Sequence, residues 1–165
     1  MEILVTDPLD EGVRRLLEEH LADMYASSPA ESVHALDPEA LRDPAITFFA
    51  AFDDGMVIAT GAIKALSDGE AELKSMRTTE AARGRGVGQR MLDHLVAEAR
   101  ARGYRALRLE TGTQEYFAPA RRLYARRGFV EGPPFADYVL DPNSVFMHLE
   151  LSEPGQSTPG PIQSA

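Results

Sequence analysis

The chain contains no cysteine, which excludes disulfides, thiolate metal sites and a cysteine nucleophile. No apolar run approaches the roughly 18 residues that a membrane-spanning helix needs. Met1-Glu2-Ile3 opens no basic segment followed by an apolar stretch, so no secretory leader is visible, and a cytoplasmic protein is expected. His, Asp and Glu do not cluster at metal-ligand spacing, and no metal is expected. Positive charge is the minority sign: 17 Lys and Arg against 26 Asp and Glu leave a net charge of −9. A balance that acidic repels nucleic acid and anionic membranes, and neither is expected as a partner. The dinucleotide fingerprint Gly-x-Gly-x-x-Gly is absent, because counting from Gly84 or Gly86 the third glycine would fall on Gln89 or Met91. The Gly-Lys-Ser/Thr of a nucleotide P-loop is absent too.

What is present suits one domain. The 165 residues, 44% of them apolar, are enough for a single sizeable core. A strand is read at Ile3-Leu4-Val5, and Val13, Leu16, Leu17, His20, Leu21 and Met24 recur at helical spacing over residues 10–25. Asp37-Pro38 opens a short helical turn through Arg42. Ile46–Phe52 and Met56–Leu66 flank the turn Asp53-Asp54-Gly55, and Ala71–Thr79 follows Ser67-Asp68-Gly69 as the next strand. Val87 to Ala99 marks a helix of about four turns closed by Gly103. Ala106–Glu110 is a strand, Pro119–Arg127 a helix stopped by Gly128, Phe129-Val130 a short strand and Val145–Leu151 the last one. His148 falls opposite the apolar set of that last strand, while His34 and His94 read as surface residues. The order implies a mixed α/β sheet with helices on both faces. Residues 1–151 make the expected domain; residues 152–165, rich in Pro, Gly and Ser, are expected to be a disordered tail.

The segment richest in information is Arg83-Gly84-Arg85-Gly86-Val87-Gly88, set between a strand and an amphipathic helix. A backbone that bare allows close approach of a ligand. The free N–H groups and dipole of the helix start favour an anion there. The segment therefore reads as a phosphate cradle, with main-chain N–H groups of Gly84, Gly86, Val87, Gly88 and Gln89 as donors and Arg83 and Arg85 framing the anion.

The pattern Arg-x-x-Gly-x-Gly at Arg83, Gly86 and Gly88 resembles the pyrophosphate motif of the GNAT N-acetyltransferase superfamily. A second stretch, Ala120-Arg121-Arg122-Leu123-Tyr124-Ala125-Arg126-Arg127-Gly128-Phe129, is similar to that superfamily's Ala-x-x-Leu-Tyr-x-x-x-Gly-Phe segment. The resemblance covers about residues 44–151. It departs at Phe117, where many members carry an asparagine that touches the cofactor. Glu72-Leu73-Lys74-Ser75-Met76, Leu109-Glu110-Thr111-Gly112 and Pro133-Pro134-Phe135 add a likeness to a group of small bacterial acetyltransferases within it.

The resemblance implies a GNAT fold, with a central splayed, mostly antiparallel sheet of about seven strands. It implies acetyl-CoA as co-substrate and direct acetyl transfer to a primary amine of a small molecule, amino acid or peptide. The strand 71–79 would splay from 105–111, and the pantetheine arm would lie in the gap against backbone groups of Met76, Arg77 and Thr78. Tyr124 matches the tyrosine that points at the sulfur, and a phenol is a reasonable proton donor to a thiolate. Glu72, eleven positions before Arg83, is similar in strand and spacing to the catalytic glutamate of the histone-acetyltransferase branch. It is the candidate base through water, unless it pairs with Lys74 or an arginine. Glu110 and Tyr116 are rivals, and ordered water alone serves some members.

The acceptor should lie near helix 10–25, the 27–37 loop and the 132–143 loop, where Tyr138 stands. A non-catalytic acyl-CoA-binding or sensing module on the same fold is the alternative. Dimers are common in the superfamily, and the final strand could pair across a homodimer.

Overall fold

The computed structural model describes residues 1–151, and the expected tail lies outside the described residues. Ten regular elements follow the sequence pattern. They are β1 (Glu2–Val5), α1 (Glu11–Ser27), β2 (Ile46–Asp53), β3 (Met56–Ala65), β4 (Glu70–Thr78), α2 (Val87–Ala101), β5 (Ala106–Gly112), α3 (Ala118–Arg127), β6 (Val130–Glu131) and β7 (Ser144–Glu150). The turn expected through Arg42 is a single 3-10 turn, Ala40–Arg42, and another precedes it at Ala30–Ser32. Helix α1 runs two residues past its expected end. Asp10 caps its start by accepting from the Val13 N–H at 3.5 Å, and the Ser28 N–H closes its last turn on the Met24 carbonyl at 3.0 Å. Gly128 ends α3 in the left-handed conformation, its N–H donating to the Ala125 carbonyl at 3.0 Å.

The seven strands form one open sheet in the order β1-β2-β3-β4-β5-β7-β6. Every neighbouring pair is antiparallel except β4 and β5. That is the mixed, mostly antiparallel sheet expected from the sequence. Its two faces bury different helices. Ala71, Leu73, Leu107 and Leu109 pack with Met91, Leu92, Leu95 and Val96 of α2 and with Tyr124 of α3. Phe48, Ala50 and Ala62 pack with Val13 and Leu17 of α1 on the other face. The alternation along each strand decides which face a side chain joins.

Two irregularities in the sheet position the site. The parallel pair β4–β5 is joined only at Glu70↔Ala106, Ala71↔Leu107 and Glu72↔Arg108, although β4 continues to Thr78 and β5 to Gly112. Beyond Glu72 the strands part. Within β4 the register against β3 slips between Thr60↔Arg77 and Ala62↔Lys74, so Ser75 and Met76 together oppose Gly61. Ser75 takes a positive φ of 56°, and the buried Thr60 hydroxyl donates to its carbonyl at 2.7 Å. Gly61 admits this bulge because a Cβ there would stand 2.7 Å from Leu95 Cδ1 and 3.1 Å from Met76 Sδ. After the bulge, Met76 packs against the α2 core and Arg77 turns to the α1 face.

Candidate active site

The parting of β4 and β5 opens a cleft of about 90 Å3 that reaches both faces of the sheet. Leu73, Met76, Leu109, Ala120 and Tyr124 border it from the α2–α3 side, and Glu72, Lys74, Glu110 and Tyr138 from the other. Phe117, the departure noted in the sequence, is buried and also borders it. No group of three His, Cys, Asp or Glu among the described residues could hold a metal ion.

At one end of the cleft, β4 leads through a 3-10 turn, Glu80–Ala82, into the glycine turn. Gly84 and Gly86 have φ of 77° and 76°, the left-handed region that other residues enter only at a cost. Gly86 is the N-cap of α2 and supplies no side-chain acceptor, so the first N–H groups of α2 have no cap partner. Gly88 sits in the first turn, where a Cβ would come within 3.5 Å of Thr78 Oγ1 and Leu123 Cδ2. Arg83, Gly84, Arg85 and Gly86 are exposed, and Arg85 reaches Asp53 at 3.9 Å. The structure therefore gathers Arg83, Gly84, Arg85, Gly86, Val87, Gly88 and Gln89 around one uncapped helix start. Arg127 pairs with Asp93 of α2 at 2.9 Å.

Tyr124, from the middle of α3, is 6% exposed, and its ring lies 5.8 Å from that of Phe129. Burial, with a smaller contribution from the charge of Glu110, pushes its phenol well above the ordinary tyrosine range. It stays protonated at neutral pH.

On the α1 face the residues form one connected polar cluster. The Lys74 ammonium donates to Glu72 Oε2 at 3.1 Å and to the Tyr138 oxygen at 3.3 Å, and the Tyr138 hydroxyl donates to the same Glu72 oxygen at 2.6 Å. The side chains of Lys74 and Glu72 are 8% and 5% exposed. Burial, then the charge of Glu72 and its hydrogen bond, drives the Tyr138 phenol far above its ordinary range. Glu110 accepts from Ser144 Oγ at 2.8 Å, and burial raises its carboxyl above the usual carboxylate range despite that bond. Tyr138 is held by rings: Phe135 at 4.9 Å, His34 at 5.0 Å and Phe146 at 5.6 Å. Its loop is tied to the 28–36 segment, where Ser32 Oγ donates to Asp141 Oδ2 at 2.7 Å.

The structure thus brings Glu72, Glu110, Tyr124 and Tyr138 to one cleft. Tyr116 is not among the residues that line it. It accepts a hydrogen bond from Arg77 and donates to Asp23 Oδ2 at 3.1 Å. The Arg77 side chain is 7% exposed and also donates to Asp23 Oδ2 at 2.6 Å, so it ties β4 to α1. Met76 borders the cleft, and Arg77 and Thr78 continue β4 beyond its last pairing with β5.

Reading His34 and His94 as surface residues needs correction. Both are half-buried, His34 in the cleft wall and His94 edge-on to Phe49 at 5.0 Å. Sequence reasoning also missed Lys74 and His20 as cleft residues. Lys74 lies two positions from Glu72 on one strand face, which was a usable signal. Burial, then the nearby Arg77 charge, lowers His20 to about 4.

Residues 13–129 match the acetyltransferase (GNAT) family. The chain is 46% identical over 151 residues to the uncharacterized N-acetyltransferase YsnE of Bacillus subtilis (strain 168), covering 92% of this chain and 100% of that protein. It is 42% identical over 148 residues to the IAA acetyltransferase of Azospirillum brasilense, covering 87% and 94%. A solved structure from Klebsiella pneumoniae, provisionally named an acyl-CoA N-acyltransferase, is similar with a TM-score of 0.76 and 30% identity, over 92% of this chain and 97% of that one.

Proposed function

The chain belongs to the acetyltransferase (GNAT) family and is an N-acetyltransferase, and from that premise we propose that it moves the acetyl group of acetyl-CoA directly onto a primary amine of a small molecule, amino acid or peptide. The single observation carrying the cofactor assignment is the parting of two parallel strands beside an uncapped, glycine-led helix start. In this reading the diphosphate of acetyl-CoA takes the N–H groups of Gly84, Gly86, Val87, Gly88 and Gln89, with Arg83 and Arg85 beside it. The pantetheine arm lies along Met76, Arg77 and Thr78 as an added strand, bonded through main-chain groups.

Transfer has three requirements: a neutral amine, a donor for the developing oxyanion, and stabilisation of the departing thiolate. A main-chain N–H on the free edge of β4 serves the oxyanion. The Tyr124 phenol donates to the thiolate as charge develops on sulfur. Glu72, acting through water, takes the ammonium proton; Glu110, facing it across the cleft, is the rival for that role. Tyr138 shapes the acceptor side, and Tyr116, bonded to Arg77 and Asp23, orders Arg77 and the end of α1. The amine nitrogen bonds to the acetyl carbon, the carbon–sulfur bond breaks, the thiolate takes the proton from Tyr124, and the surplus proton shed by the acylated nitrogen restores the phenol.

Calorimetry with acetyl-CoA, followed by a thiol-release assay over an amine panel, tests this. Micromolar uptake and amine-dependent release are expected. A well-folded sample that takes up no acetyl-CoA at millimolar concentration would overturn it. Uptake without release by any amine would favour the binding-only alternative.

A further inference from the structure

We propose that the acceptor is a small amino carboxylate, with its amine between Glu72 and Glu110 and its carboxylate on Lys74. The inference rests on the acetyl-transfer reading above and narrows its acceptor.

A site for plain amines gains nothing from a buried cation, which repels the incoming ammonium. Yet Lys74 is 8% exposed and lies in the cleft wall. An ammonium has three N–H donors. One meets Glu72 at 3.1 Å and one meets the Tyr138 oxygen at 3.3 Å, and no acceptor among the described residues takes the third. A buried charge left short of partners is costly, so a ligand acceptor for that N–H has a clear energetic place.

The anionic groups are incomplete in the opposite sense. Glu72 Oε2 receives both Lys74 and Tyr138, while no donor among the described residues reaches its Oε1. Glu110 Oε2 receives Ser144 Oγ at 2.8 Å, and its Oε1 likewise has no donor. His20 borders the same cleft with Nδ1 fully buried and unpartnered. The cleft therefore presents one open cationic donor beside two open carboxylate oxygens. That is the complement of a zwitterion whose amine and carboxylate sit a few ångströms apart.

Charge separates this class from other amines. A polyamine or an aminated oligosaccharide brings no anion to Lys74, whose ammonium borders the cleft beside Glu72 and Glu110. A peptide N-terminus would offer Lys74 only a neutral carbonyl, a weaker partner than a carboxylate.

The test uses the full chain, acetyl-CoA and thiol release. L-Amino acids, β-alanine and 4-aminobutyrate are each compared with the matching amide and the matching decarboxylated amine. For at least one such trio, kcat/KM for the acid should exceed that of both counterparts lacking the carboxylate by about tenfold or more, carried by KM. Lys74→Gln, with its fold checked by thermal melting, should shrink that ratio to about twofold. Amides or amines used as well as the acids, or a preference that survives in Lys74→Gln, would overturn the proposal. So would a wild-type preparation that binds acetyl-CoA and turns over no member of the panel. The wild-type comparison holds even if the variant fails to fold. Loss of acetyl-CoA binding itself would sink the transferase reading, and this inference with it.

Discussion

Tyr124 keeps its proton because its phenol is enclosed by the α2–α3 core, with Glu110 adding negative charge nearby. A phenol so placed stays a hydrogen-bond donor, and it meets the negative charge that develops on sulfur as the thioester breaks. Tyr124→Phe is expected to lower kcat by about tenfold or more while leaving acetyl-CoA affinity within about twofold. Steady-state kinetics with calorimetry checks both, and an unchanged kcat would remove the role. His20 offers a second check at this scale. Its folded value of about 4 lies below the ordinary histidine value of 6.5, so the folded state binds fewer protons between those values. Stability is therefore full above about pH 6.5 and declines as pH falls toward 4, by at most about 1.4 kcal/mol per pH unit from this group. Urea titrations between pH 7 and 4 should show that decline, and His20→Gln should flatten it. The Glu72–Lys74 pair was open to reading from strand alternation. The arrival of Tyr138 over that pair was not, because it depends on rings of Phe135 and Phe146 contributed by a loop and a distant strand.

Among the elements, the glycine turn and α2 were legible because glycine spacing and a clean apolar stripe each carry their own physics. The bulge in β4 was not: Ser75 is an ordinary residue by sequence, and its positive φ is imposed by Thr60 and by the absence of a side chain at Gly61. The parting of β4 and β5 was available only through family resemblance, since periodicity says nothing about which strands stay joined. Gly86→Ala tests the turn by itself. A Cβ there would meet nothing within 4 Å, so the penalty lies in the dihedral angle of 76° alone. A cost of about 1–2 kcal/mol is expected, read as a lower Tm. Displacement of the α2 N–H groups should weaken acetyl-CoA binding by about fivefold or more. An alanine variant with wild-type affinity would argue that the anion sits elsewhere.

For the molecule as a whole, Leu151 is part of the core, 2% exposed, with its N–H donating to the Arg105 carbonyl at 2.8 Å. A chain stopped after Leu151 should keep its Tm within about 2 °C of the full chain. A larger loss would show that residues 152–165 contribute to the fold. Finally, a sheet whose two middle strands separate partway leaves main-chain groups unclaimed in the interior of the protein. Thr79 gives its N–H to Ile58 at 2.9 Å on the β3 side, so by alternation the Thr78 amide faces away from β3; it should swap hydrogen for deuterium readily in the empty enzyme and slow markedly once acetyl-CoA is supplied. Recognition built this way reads the shape of a chain rather than the identity of side chains, so the co-substrate itself finishes the weave that the polypeptide leaves open.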